Sequence, residues 1–193
     1  MQCMQNHTND IQRQNKDLTH LDVYTIDPPG CSDADDGFSV IDKDGSNIVA
    51  LHYADPTQII NTTSRVSRKV QTRYSIFEKT KPMLSGNISE RVSLKSNSID
   101  VRHAVTLLIT LSKDTHLPIC QPEILFSLIK VSPRNSFTYH RAGSILQGVN
   151  KCSRVTLQRL RIIQRFATAL MNAREVSHWR TLSRVCASRR GIV

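Results

Sequence analysis

One segment in the first third of the chain restricts the fold most, because strand-forming runs alternate there with turn residues. Residues 23–26 (VYTI) form a β-branched and aromatic run, which the sequence Pro-Pro-Gly ends. Two further strand-like runs, residues 38–42 and 47–53, flank the sequence KDGS, which indicates a hairpin because Asp-Gly tolerates positive φ. The pattern predicts a strand, a loop and a β-hairpin, in that order.

The rest of the chain mixes strand-like and helix-like segments. Residues 125–131 are typical of a strand and residues 64–73 of a polar helix, whereas residues 105–111 fit either a buried strand or a helical turn. From residue 155 to residue 176, apolar side chains recur at steps of three and four, which predicts an amphipathic helix. The predicted apolar stripe of this helix consists of Leu157, Leu160, Ile163, Ala167, Leu170 and Met171.

Length and composition indicate a single globular domain of 193 residues, 39% of them apolar and 22% charged. The five cysteines are scattered without a CxxC pair, so we expect neither a disulfide framework nor a zinc site. Residues 1–16 are rich in Gln and Asn and are expected to form a flexible polar tail. Because no apolar run is long enough for a signal peptide or a membrane span, we predict a soluble, intracellular, cytoplasmic protein without a membrane partner.

The positive charge is concentrated in the C-terminal segment. The net charge is +10, and ten of the 26 Lys and Arg residues follow Asn150, where Glu175 is the one acidic residue. Clustered cationic charge favours a polyanion such as nucleic acid, because neutralised phosphates release counterions. A solvated basic helix face explains the same pattern, so both interpretations stay open.

The loop after the first predicted strand carries a dense group of carboxylates in an otherwise basic chain. The four are Asp27, Asp33, Asp35 and Asp36. Like charges this close raise one another's pKa and need either full solvation or a cation. The spacing fails the EF-hand pattern, nothing distinguishes a glycosidase carboxylate pair, and Walker A, GxGxxG and GxSxG motifs are absent. What remains is a hard-cation site suited to Mg²⁺ or Mn²⁺.

The segment from Asp17 to Asp55 resembles the start of the RNB catalytic domain of the ribonuclease II, ribonuclease R and exosome Dis3 exoribonuclease superfamily. Its residues TIDPPGCSDADDG are similar to the family pattern TIDPxxAxDxDDA, with all four aspartates at the expected spacing and Gly37 in place of the usual final alanine. Weaker matches follow in collinear order in LHYAD, YSIF, PML, ISERVSL and SFTYHRAGSILQ. The similarity therefore covers most of the chain.

The resemblance implies hydrolytic 3′-to-5′ exoribonuclease activity on single-stranded RNA, with release of nucleoside monophosphates and with Mg²⁺ or Mn²⁺ as cofactor. Asp35 corresponds to the metal-site aspartate on which catalysis depends most. The other three aspartates of the loop correspond to residues that bind the metal or orient its water: Asp27, Asp33 and Asp36.

The resemblance and the charge pattern also suggest RNA-binding residues. Phe77 falls where the family has a tyrosine that stacks on terminal bases, and Tyr139 lies near the position that contacts the ribose. For both aromatics, packing in the core is the structural alternative. The predicted helix adds basic candidates at Arg159, Arg161 and Arg165. His52 in LHYAD is expected to be structural rather than a base.

By this resemblance the expected fold is α+β, a mixed, mainly antiparallel sheet with flanking helices, and residues 17–193 correspond to the N-terminal half of an RNB domain. A full RNB domain is roughly twice as long and supplies a catalytic arginine region, so strands that would pair with the missing half are expected to leave exposed edges. Two functions stay open. One is an exoribonuclease that needs its C-terminal half or a protein partner, and the other is a truncated homologue that binds RNA or a protein without cutting.

Overall fold

The computed structural model describes residues 14–31, 33–60, 86–95 and 100–176 of the chain. The strands in these ranges are β1 (Lys16–Asp17), β2 (Val23–Asp27), β3 (Asp36–Lys43), β4 (Ser46–Ala54), β5 (Val101–Ser112) and β6 (Glu123–Thr138). The helices are α1 (Gly86–Val92), α2 (Tyr139–Leu146) and α3 (Arg154–Val176), with a 3₁₀ turn at Pro56–Gln58.

The strands follow the local sequence pattern closely. β2, β3 and β4 confirm the predicted strand and hairpin, and Gly45 in the turn has a φ of 77°, the left-handed conformation that the Asp-Gly sequence indicates. The predicted strand at 125–131 lies within β6, and residues 105–111 belong to β5 rather than to a helix. The predicted helix at 64–73 lies outside the described residues.

The long strand β6 closes the sheet into a barrel. Its first half pairs antiparallel with β5 and its second half pairs parallel with β2, while β2, β3, β4 and β5 are successive antiparallel neighbours. The short strand β1 also pairs with β6 in parallel. The mixed, mainly antiparallel sheet with flanking helices is thereby confirmed. The expectation of exposed edges is wrong for β2 and β5, because β6 has 16 residues and is long enough to pair with both.

The main core lies between the barrel and the two C-terminal helices. The ring of Tyr24 stacks on Phe38 and on Phe137, with centroid distances of 5.5 and 6.3 Å. The helices cover this cluster with buried side chains, namely Ala142 and Ile145 of α2 and Leu160, Ile162 and Phe166 of α3. Burial of these apolar groups holds α2 and α3 against the barrel.

Helix α3 confirms the predicted helix, but its buried face differs from the predicted stripe. Ile162 and Phe166 are buried, whereas Leu170 and Met171 are 39% and 65% exposed. At 1.5 Å per residue the helix is roughly 34 Å long, and among the described residues its packing ends near Phe166. In the described part of the chain, α3 included, no helix is both long and apolar enough to cross a bilayer.

Candidate active site

The aspartates of the predicted site lie at one end of the barrel. β2 ends at Asp27 and β3 begins at Asp36, so the loop that carries Asp33 and Asp35 joins two neighbouring strands at this end. Asp27 also lies opposite Thr138, the last residue of β6 and the N-cap of α2. The sheet topology therefore brings the aspartate loop next to the start of α2.

The backbone of the aspartate loop is fixed by two segments that are distant in sequence. Ala34 is fully buried, its N–H donates to the Ser93 hydroxyl at 2.9 Å, and its carbonyl accepts from the Leu94 N–H at 2.7 Å. The Asp35 carbonyl accepts from the N–H of Ala54, the last residue of β4, at 2.9 Å. Because these partners are backbone or buried groups, the loop conformation is coupled to the barrel itself.

The electrostatics of the loop disfavour ionisation of two of its carboxyl groups, Asp27 and Asp35. Partial burial raises the pKa of Asp27 above its usual range, and the negative charge of Asp36 adds to that rise. Partial burial likewise raises the pKa of Asp35, with added repulsion from Asp33 and Asp36. The positive charge of Lys95 acts in the opposite direction on Asp27. A bound cation would relieve this repulsion more completely than Lys95 does.

The donor chemistry of the loop fits a hard divalent cation, because carboxylate oxygens are the ligands that Mg²⁺ and Mn²⁺ prefer. Within the described residues, however, no three His, Cys, Asp or Glu side chains converge as a ligand set. The fit rests on the donor type and on the raised pKa values of Asp27 and Asp35. The assignment of the four aspartates as metal ligands, and of Asp35 as the catalytic one, stays a prediction.

The aromatic candidates differ in what the structure describes. Tyr139 is the first residue of α2 and directly follows Thr138, so it lies beside the end of β2 where Asp27 stands. Its side chain is 62% exposed and does not pack in the core. Phe77 lies outside the described residues.

The arginine candidates lie away from the aspartates. Arg161 and Arg165 line a cleft of about 470 Å³ beside the hairpin that joins β3 to β4, at the opposite end of the barrel. Arg159 is partly buried on α3 and does not line this cleft. The structure therefore separates Arg161 and Arg165 from the predicted metal site, and the role of all three arginines in RNA binding stays a prediction.

Several groups around the aspartate loop were not singled out from the sequence. Lys95 donates a hydrogen bond to the Cys31 carbonyl of the loop. Arg102 donates to the Ser93 carbonyl at 3.1 Å and, with His103, lines a pocket of about 270 Å³. A signal was present, since Ser93 lies in the ISERVSL match, but that match assigned no role to the serine.

His52 is structural, as expected. It is fully buried, with Nε2 3.0 Å from the Ser39 hydroxyl and Nδ1 2.8 Å from the Thr106 hydroxyl, which lies 2.6 Å from the Ser127 hydroxyl. This chain of hydrogen bonds crosses the four strands from β3 to β6. Burial lowers the pKa of His52 to about 4, so the imidazole is neutral near pH 7.

Comparison with known proteins identifies the family. The family model described as the RNB domain matches residues 15–184. Ribonuclease R of Chlamydia trachomatis is 33% identical over 151 residues, which cover 76% of this chain and 21% of that protein, so the chain spans about a fifth of this relative's length.

Solved structures show the same fold. RNase R of Mycoplasma genitalium, in complex with ribose-methylated single-stranded RNA, matches 89% of this chain and 27% of its own, with a TM-score of 0.72 and 20% identity. Yeast Ssd1, described as a pseudonuclease, matches 84% of this chain and 19% of its own, with a TM-score of 0.66 and 22% identity. Because the family match covers most of its length, this chain belongs to the RNB-domain family.

Proposed function

We propose that this protein is an RNB exoribonuclease that hydrolyses single-stranded RNA from its 3′ end to nucleoside monophosphates. The observation that carries the proposal is the aspartate loop, whose four aspartates keep the spacing of the family motif and lie between the end of β2 and the start of β3, at one end of the barrel. Membership in the RNB family supports the same activity. We further infer that residues 17–193 correspond to the N-terminal half of an RNB domain.

In this proposal Asp27, Asp33, Asp35 and Asp36 hold Mg²⁺ or Mn²⁺. When bound, the cation would activate water for attack on the terminal phosphodiester and neutralise charge on phosphate oxygens. The chain's own contribution is positional, because the hydrogen bonds that Ala34 makes with Ser93 and Leu94 fix the loop backbone that presents Asp33 and Asp35. Partial burial and the charges of Asp33 and Asp36 raise the pKa of Asp35, and a bound cation would lower it again by stabilising the carboxylate.

The surroundings of the loop suit the 3′ end of an RNA strand. The exposed ring of Tyr139 beside Asp27 offers a face on which a base or ribose could pack. Arg102 and His103 line the small pocket that also contains Asp55, which follows β4 at the aspartate end of the barrel. The positive charge of Arg102 there would attract the RNA phosphates next to the carboxylates.

The second candidate function is RNA or protein binding without cleavage. The yeast structure described as a pseudonuclease favours it, because the fold alone does not guarantee nuclease activity. The intact aspartates at all four motif positions favour the exoribonuclease instead.

A single-turnover assay on a 5′-labelled RNA distinguishes the two functions. We expect Mg²⁺-dependent shortening from the 3′ end, slowed on the order of 10²-fold or more by Asp35→Asn if the loss resembles removal of one transition-state contact. Asp44→Asn makes the same chemical change in the hairpin turn at the other end of the barrel and should cut at the wild-type rate. RNA binding without any Mg²⁺-dependent cleavage would instead support the second candidate.

A further inference from the structure

A second basic region lies at the end of the barrel that is remote from the aspartates. The cleft of about 470 Å³ beside the β3–β4 hairpin is lined by three arginines of α3, Arg154, Arg161 and Arg165. Lys113 and His116, which follow β5, also line the cleft. Six residue steps of β3 separate Asp36 from Asp42 at this cleft, a distance of roughly 20 Å along the strand.

Within the part of the chain that the structure describes, no carboxylate neutralises the arginines of this cleft. Among the described residues, Arg154, Arg161 and Arg165 make no ion pair with a carboxylate, and Arg161 and Arg165 are exposed. The one carboxylate in the lining, Asp42, lies 2.9 Å from the ammonium of Lys113 and is thereby already paired. An uncompensated cluster of guanidinium groups is a strong electrostatic attractor for anions.

His116 adds a second observation at the same cleft. It has a φ of 57°, an uncommon left-handed conformation for a residue with a side chain. Its Nδ1 atom is shielded from solvent and has no hydrogen-bond partner among the described residues. A polar atom in this state is unsatisfied unless a ligand or water reaches it.

The arrangement of the arginines indicates an extended anion rather than a single phosphate group. Arg154 and Arg165 are eleven residues apart on one helix, which corresponds to roughly 16 Å along its axis. Guanidinium groups in such a row can contact successive phosphates of one strand, because each offers several N–H donors in a fixed fork.

We propose that this cleft binds the sugar–phosphate backbone of single-stranded RNA at a second contact, remote from the aspartate loop. The identification of the anion as RNA rests on the proposed function. The attraction of phosphates rests on the charges of the cleft itself. An RNA long enough to reach both ends of the barrel makes this contact. A short RNA that is bound only at the aspartate loop does not.

The test compares the salt dependence of RNA binding, measured by fluorescence anisotropy in EDTA so that no cleavage occurs. In Arg161→Gln/Arg165→Gln the slope of log K against log salt should shrink by about 1.4, since each phosphate contact to single-stranded RNA contributes about 0.7. Lys130→Gln/Arg134→Gln removes the same charge from exposed positions of β6 and should keep the wild-type slope. Equal slopes in the two variants would overturn the cleft proposal.

Three further measurements test whether the charge of the cleft determines the salt dependence. Arg161→Lys/Arg165→Lys retains both charges and should restore most of the slope. The cleft substitutions should change the salt slope less for an RNA of about four nucleotides than for one of about 20 nucleotides. About four nucleotides is the smallest RNA that a small barrel of this kind binds, and it is too short to reach both ends of the barrel. If the double variant is unfolded, Arg154→Gln alone should lower the slope by about 0.7.

The outcome is separable from that of the proposed function. Asp35→Asn should lose cleavage yet bind RNA with the wild-type slope. A cleft-dependent slope in a protein that never cleaves would leave the cleft proposal standing while the exoribonuclease function fails. Cleavage with no effect of Arg161→Gln/Arg165→Gln, or a wild-type protein that binds no RNA, would overturn the cleft proposal.

Discussion

Acid should weaken the folded protein through His52. Burial lowers the pKa of this imidazole from 6.5 to about 4, so the unfolded chain takes up the proton more readily than the folded one. The stability that depends on neutral His52 is therefore fully present above about pH 6.5 and is lost as the pH falls towards 4. At about 1.4 kcal/mol per pKa unit, the complete loss is about 3 kcal/mol, of which about 2 kcal/mol falls between pH 7 and pH 5.

Urea unfolding at these two pH values measures the effect. His52→Gln cannot take up the proton, so its loss of stability between pH 7 and pH 5 should be about 2 kcal/mol smaller than that of the wild type. The raised pKa values of Asp27 and Asp35 act in the opposite direction, because acid favours the folded state there, but they act in both proteins and cancel. His140→Gln alters an exposed histidine and should behave as the wild type.

The interpretation fails if His52→Gln and the wild type lose the same stability on acidification. In that case burial would not hold the imidazole of His52 neutral in the folded protein.

Three further predictions concern the aspartate loop and its supports. Mg²⁺ should raise the melting temperature near pH 7.5 and much less near pH 5, because protons compete for carboxylates with raised pKa values, and Asp35→Asn/Asp36→Asn should lose most of this response. An equal response in both proteins would contradict the site assignment. Gly37→Ala should lower the free energy of unfolding in urea by about 1 kcal/mol, because the added Cβ would stand 3.0 Å from a backbone oxygen of β2. A variant more stable than the wild type would refute this close contact. Ser93→Ala should cost about 1–3 kcal/mol by leaving the buried Ala34 N–H without its acceptor, and hydrogen exchange at Ala34 should accelerate. Unchanged exchange there would show that the serine does not hold the loop.

The hairpin could be predicted from the sequence because its signal is local, whereas closure of the barrel could not. Pro133 lacks a backbone N–H and interrupts the strand-like run of β6. The strand nevertheless continues past it, since the pairing of β2 with β6 shifts register between Val23 and Thr25 and leaves an irregular stretch around the proline. Such a shift depends on the partner strand and is invisible in either segment alone.

The candidate site likewise has one part that the sequence predicts and one part that it does not. The spacing of the aspartates is a property of one loop and could be read directly. The hydrogen bond that fixes the Ala34 N–H is accepted by Ser93, 59 residues later, and no local pattern predicts it. Helical periodicity predicted α3 but not which side chains of its C-terminal half are buried. Phe166 is buried and Met171 is exposed, and this difference depends on tertiary packing.

The assignment of a catalytic cation to the aspartate loop is tested most directly by Mn²⁺ binding, measured by electron paramagnetic resonance of the free ion. Carboxylate oxygens suit Mn²⁺ as well as Mg²⁺, so the wild-type protein should deplete the free-ion signal near pH 7.5. Asp44→Asn should deplete it equally, and Asp35→Asn/Asp36→Asn should leave most of the ion free. Equal depletion by the wild type and by the Asp35→Asn/Asp36→Asn variant would contradict the assignment.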